Sequence, residues 1–346
     1  MSARSERRIA CTIVVAASLA LVRPASALAW GSLGHHLISR AAVDALPLKI
    51  PAFLRTPDAA KAIEALGTEA DRSKGAGKTH DFDRDPGHYV DLGDDGKIAG
   101  AVDLEALPLS RRDYDTALRT TNSSQYAAGF LPYQLIDGWQ QVAEDFAIYR
   151  TDVVGETKAA GAGDRAWFST DRSRREALTI RDVGYWSHFV GDASQPLHVS
   201  IHYNGWGDGP NPNGYTTSHE THANFETAYV RDVATLPQVE RAMSPLVECR
   251  CTIESYVPTY LAATNAHVVP FYELEKRGAF TSKDVGGAAF TIGRLADGAS
   301  ALRDLIVDAY DASALMRIGY PERHTVADYE AGRAVPSRMA VGGSDS

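Results

Sequence analysis

The chain has 346 residues, 44% hydrophobic and 23% charged, and its 44 acidic and 35 basic side chains give a formal net charge of −9. That length and composition suit a folded chain with a full core. The acidic balance excludes a general duplex-DNA binder, which needs a basic stripe, although bound metal ions could still supply local positive charge for phosphates.

Taken from the start, residues 1–29 have the three zones of a secretory signal. Arg4, Arg7 and Arg8 form a basic start, Ile9 to Val22 an apolar run, and Ala27-Leu28-Ala29 a small-x-small cleavage site. The run is too short to span a bilayer comfortably, and no other stretch approaches about 18 apolar residues. We therefore expect export by a signal peptide, to a secreted or periplasmic location, with cleavage after Ala29; the cleavage site argues against an uncleaved anchor. Cleavage leaves 317 of the 346 residues, and losing four Arg and one Glu moves the net charge from −9 to −12. We assign 30–331 to one domain and expect the small, polar tail at 332–346 to fray.

Helical periodicity dominates the remainder. It predicts helices over 35–46, stopped by Pro47, and over 58–70, with Ala59, Ala62, Ile63 and Leu66 on one stripe. Further helices are predicted over 135–149, 174–190, 223–233 and 290–310. Strand signals are confined to 87–92 and 98–104. The expected fold class is therefore all-α, a mostly helical single domain with at most a few very short strands.

Residues 73–87 and 202–218 read as long loops, rich in Gly, Asp, Asn and Pro, of the kind that is usually functional or disordered. Asn122-Ser123-Ser124 matches a glycosylation acceptor. Cys11 leaves with the signal, and the remaining Cys249 and Cys251 form no disulfide framework. They read either as a short disulfide or as two thiols.

The densest chemistry lies in HFVGDASQPLHVS, residues 188–200. His188 and Asp192 are four apart on a predicted helix, so both can face one ion. Gln195-Pro196 should break that helix and let His198 turn elsewhere. His222 and Glu226 repeat the four-residue spacing. One such pair is commonly a solvated helix face; two pairs with a histidine between them point to metal.

The ordered motifs Trp30-Gly-x-x-Gly-His35, Ala70-Asp71-x-x-Lys74, His88-Tyr-Val-Asp91, His188-x-x-x-Asp192-x-x-Gln-Pro-Leu-His198 and His222-x-x-x-Glu226 resemble the single-strand-specific three-zinc nucleases. This is the S1/P1 nuclease family, which shares a fold with zinc-dependent phospholipase C. The resemblance runs from Trp30 to about Tyr310. It implies three zinc ions per chain. Asp71, His88, His188 and Asp192 would hold the first. Trp30, through a free amino group and its carbonyl, would hold the second with His35 and a shared oxygen of Asp192. His198, His222 and Glu226 would hold the third.

The same resemblance implies hydrolysis of phosphate esters of single-stranded RNA and DNA, with 3′-nucleotidase activity as an extension. Imidazole and carboxylate suit zinc, and a zinc-activated water is a competent nucleophile near neutral pH. Asp71 would orient that water, Lys74 would hold a phosphate oxygen, Tyr89 would stack on a base and Asp91 would read its edge. No obligate protein partner is evident.

Three departures bear on the substrate. Glu226 stands where the nucleases usually have Asp and the phospholipase branch has Glu, the Gly-Gly-Asn run expected after His198 is absent, and Glu69 replaces a common Trp. The runner-up reading is a phospholipase C acting on phospholipid headgroups, with Trp206 exposed on the 202–218 loop to meet lipid. A secreted, non-catalytic zinc-binding protein is the alternative from another class. His36, His80, His202 and His219 read as solvated or hydrogen-bonded structural residues rather than ligands, and His267 and His324 have no partner motif nearby.

Overall fold

The computed structural model describes residues 30–342 apart from 208, 250, 282 and 283. The signal sequence expected at 1–29 and the last four residues lie outside them. The fold is all-α. In chain order it runs α1 (Gly31–Asp44), α2 (Pro57–Leu66), α3 (Lys78–Arg84), β1 (Lys97–Ile98), β2 (Val102–Asp103), α4 (Arg111–Leu118) and α5 (Gln125–Ala128). Two long helices joined by a short connection follow, α6 (Leu131–Lys158) and α7 (Ala162–Asp192). Then come α8 (Thr221–Ala223), α9 (Val230–Val233), α10 (Leu236–Ala242), α11 (Ile253–Asn265), α12 (Val268–Lys276) and α13 (Val285–Ser313). The chain closes with β3 (Arg317–Ile318), β4 (His324–Thr325), α14 (Val326–Glu330) and α15 (Arg338–Val341).

The frame is the antiparallel pair α6 and α7, against which α13 packs; α13 also packs on α1. Two glycines let α6 and α7 approach. A Cβ at Gly138 would lie 2.0 Å from Trp186 Cδ1, and one at Gly155 would lie 2.3 Å from Phe168 Cγ. Each glycine makes a seat for an aromatic ring of α7. The early turns of α7 are largely polar, whereas every residue from Trp186 to Asp192 is buried. The helix therefore runs from the surface into the core, with its two candidate ligands at the inner end.

All six expected helices are present, with ends shifted by tertiary packing. The differences elsewhere have local causes. The stretch expected as a strand at 98–104 turns back on itself, because Ala99 and Gly100 both have positive φ. Ile98 consequently pairs with Val102 in a two-residue hairpin. Over 87–92, Val90 and Leu92 make only single bridges, to Gly129 and Ile98. The 73–87 segment is not a bare loop: it contains α3, whose Asp81 carboxylate accepts from Gly75 N at 2.9 Å. The tail is anchored as far as α15, where Ala340 O accepts from Tyr320 N at 2.8 Å. Cys249 and Cys251 are joined as a disulfide.

Trp206 is buried rather than exposed. It stacks on His202 with ring centroids 3.8 Å apart, and its indole donates to Pro210 O at 2.9 Å. The loop folds around this ring. Trp206 N donates to Thr216 O, and the Asn211 side chain both donates to Tyr215 O and accepts from Tyr215 N. Its Asn and Gly residues thus close turns around an aromatic nucleus, and Trp206 has no face to offer a lipid surface.

A polar defect lies between α6 and α7. Asp152 has no exposed surface, and neither carboxylate oxygen has a partner. Burial, then the neighbouring Asp171, raises its carboxyl to about 8, with Glu156, Arg172 and Arg175 also in range. An unfolded Asp titrates near 4, so between that pH and about 8 the native state binds the extra proton and stability falls as pH rises. Replacing Asp152 with Asn should therefore flatten the loss of stability between pH 5 and 8.5, read from urea midpoints at each pH; an unchanged slope would contradict the assignment. Gly155→Ala should lower stability by about 1–3 kcal/mol through overpacking against Phe168, measurable as a lower urea midpoint with the same slope.

Candidate metal centre

His35 sits one turn into α1 and shares the helix's buried face with Ile38 and Ala42. Gly191 leaves room for it: a Cβ there would stand 3.0 Å from His35 Nδ1. His188 and Asp192 occupy the last turns of α7. The helix stops at Ala193, and Gln195 is extended, as a residue before proline must be. A tight turn over 196–198 then carries His198 back toward the cluster. Asp71 lies on the short turn after α2 and His88 on the turn before the Val90 bridge. His222 belongs to α8, and Glu226 to a π-helical run over Asn224–Tyr229, a rare form frequently found at functional sites.

Among the described residues, three groups of side chains converge closely enough to share an ion: Asp71, His88 and His188; His35, His188 and Asp192; and His198, His222 and Glu226. All eight expected side-chain ligands are included. Asp192, with no exposed surface, faces two of the groups. Its Oδ2 lies 3.1 Å from His88 Nδ1 and 3.4 Å from His188 Nε2, while its Oδ1 lies 3.5 Å from His35 Nε2. Asp71 Oδ1 lies 3.6 Å from His188 Nε2 and 2.6 Å from Lys74 Nζ. In the third group, Glu226 Oε1 lies 2.7 Å from His222 Nε2 and 3.2 Å from His198 Nε2.

The imidazoles are aimed by main-chain carbonyls that no sequence pattern reveals. His188 Nδ1 donates to Gly67 O at 2.8 Å, His198 Nδ1 to His88 O at 2.6 Å and His222 Nδ1 to Tyr203 O at 2.8 Å. Each bond assigns the proton to Nδ1 and turns a bare Nε2 inward, the usual support for a ligating histidine. His88 is the exception and turns its Nδ1 inward. His35 has no hydrogen-bond partner on either ring nitrogen, and Asp192 Oδ1 and Glu226 Oε2 are likewise buried and unpartnered. Orphaned polar atoms are rare in a folded interior. Here they converge with imidazoles and carboxylates, which is the donor chemistry that fits a divalent ion.

Electrostatics point the same way. Burial, then His188, holds His35 well below the ordinary imidazole range; burial, then Lys74, does the same for His88 and takes His188 to about 3. These rings are neutral, as ligation requires. Burial, then Asp71, pushes Asp192 well above the carboxylate range. Burial opposes ionisation of Glu226 too, but His222 and His198 beside it bring its carboxyl far down. Asp192 can ionise at this depth only beside a compensating positive charge.

Trp30 caps α1, with its indole donating to Gly191 O at 2.9 Å and Ser194 Oγ at 3.0 Å. Its carbonyl accepts from Gly34 N at 3.2 Å, and the next residue, Gly31, abuts Glu226 O. The indole thus ties the start of α1 to the end of α7. Beside His88, Tyr89 and Asp91 are half-buried. Burial, then Asp91, raises the Tyr89 phenol, and burial raises the Asp91 carboxyl to about 7. Tyr203 is 53% exposed at the rim next to His222, an aromatic that motif spacing missed. His202 Nδ1 donates to Trp206 O at 2.6 Å, and its Nε2 lies 3.1 Å from Asp94 Oδ1.

Because Asp192 faces two groups, Asp192→Asn should lower bound divalent metal by at least one ion per chain, read by elemental analysis after dialysis. Metal content equal to the unaltered chain would refute the shared-carboxylate geometry.

No protein-family model, curated protein or solved structure matches the chain, so the metal-binding reading stands on its own residues.

Proposed function

We propose that this chain is an exported phosphodiesterase that holds three zinc ions and hydrolyses phosphate esters of single-stranded RNA and DNA, with 3′-phosphate removal as an extension. The observation that carries the reading is the convergence of three histidine–carboxylate groups, two of them faced by Asp192, with Lys74 paired to Asp71. Zinc bound there would supply Lewis-acid charge for the phosphate and for an attacking water.

The protein's own groups have separate tasks. Asp71 orients the attacking water. Lys74 offers a point charge to a phosphate oxygen. Tyr89 stacks on an unpaired base, which tolerates many bases and excludes a closed duplex. Asp91, with its carboxyl raised to about 7, can both donate to and accept from a base edge near neutral pH. The burial of Trp206 takes away the feature that favoured a lipid surface.

The test uses the chain beginning at Trp30, loaded with zinc and assayed for acid-soluble nucleotide released from single-stranded RNA. Release that a chelator abolishes is the expected result; no release from protein shown to hold three zinc ions would overturn the reading. Tyr89→Ala should lower kcat/KM by roughly 5- to 150-fold, the loss of about 1–3 kcal/mol of stacking. A chain extended by one residue before Trp30 should lose activity, and full activity there would refute the amino-terminal ligand.

A further inference from the structure

Gln195 lies outside the ligand groups, at the bend between α7 and the 196–198 turn, and it has no exposed surface. Both ends of its amide are engaged. Oε1 accepts from Leu197 N at 2.7 Å, and Nε2 donates to Glu226 Oε1 at 2.6 Å. The orientation follows from the partners. A backbone N–H can only donate, so the oxygen must face Leu197 and the NH₂ must face Glu226. A short bond from an amide to a buried carboxylate is charge-assisted and among the stronger hydrogen bonds.

Glu226 needs such a restraint. It projects from a π-helical run, its Oε1 is shared by His198 and His222, and its Oε2 is buried without a partner. Rotation about its side-chain bonds would take the carboxylate out of line with the two Nε2 atoms. The donor from Gln195 comes from a different segment of the chain and fixes one oxygen, which leaves the other lone pairs for an ion.

We propose that Gln195 is a positioning residue for the His198–His222–Glu226 group, holding Glu226 through its Nε2–H so that this group binds a divalent ion tightly. The inference rests on reading that group as a metal site. The competing role is purely local: a cap for Leu197 N that shapes the turn bearing His198.

Two variants separate the roles. Gln195→Ser keeps a hydroxyl acceptor for Leu197 N, two residues on, and is too short to carry a donor to Glu226. Gln195→Met, of similar length, removes both. Each would be compared with the unaltered chain for zinc per chain by elemental analysis, and for affinity by competition with a chromophoric chelator, with helical circular dichroism as the check on folding.

The expected result is that Gln195→Ser, folded, loses one zinc or binds one of its zincs about 10- to 100-fold more weakly, the usual effect of losing a group that orients a ligand. Unchanged number and affinity in Gln195→Ser would overturn the proposal, including when Gln195→Met is impaired, because that pattern belongs to the turn cap. Equal weakening of every zinc would also overturn it. If Gln195→Ser fails to fold, Gln195→Asn, which also keeps an acceptor for Leu197 N and is too short to carry its donor to Glu226, takes its place with the same outcomes. An unaltered chain that takes up no zinc would instead remove the metal-site reading, and this inference with it.

Discussion

Asp192 is a carboxylate with no contact to water, set between two groups of neutral imidazoles at the inner end of a 31-residue helix. Placing it there is costly unless something positive shares the space. Lys74 stands on Asp71 at the edge of the cluster, and the imidazoles cannot help because burial keeps them uncharged. Much of the surrounding architecture serves that position. The glycines of α6 seat the rings of α7, Gly191 makes room for His35, and the Trp30 indole ties the start of α1 to the end of α7. The fold is a frame for holding incompatible groups close together.

That frame explains a division of labour along α7. Its outer turns are polar and solvated, while its last turns are buried on every side. A helix of this kind delivers side chains to a defined depth and lets them be clamped from several directions at once. The segments that meet it, from α1, the turn after α2, the 85–88 turn and the π-helical run, are far apart in the chain. The cluster therefore forms only when the whole tertiary structure does.

Much of this was legible in the residues, and what was not has physical causes. The pairs His188/Asp192 and His222/Glu226 could be placed on one helix face because four-residue spacing has a direct geometric meaning. The break at Gln195-Pro196 followed from the backbone restriction before proline. By contrast, α11 carries Pro258 within it, and α10 and α12 are short, so weak periodicity hid all three. Trp206 was misjudged because a loop rich in Gly and Asn reads as open surface, whereas here those residues close turns around a buried ring. The carbonyls that aim His188, His198 and His222 carry no side-chain identity at all, so no motif could have shown them.

One of those carbonyls has a consequence of its own. His88 offers its ring to one group of ligands and its main-chain oxygen to His198 in another. The two groups are thus joined through one stretch of main chain: a shift of the backbone at His88 that re-aims its ring also moves the oxygen that steers His198.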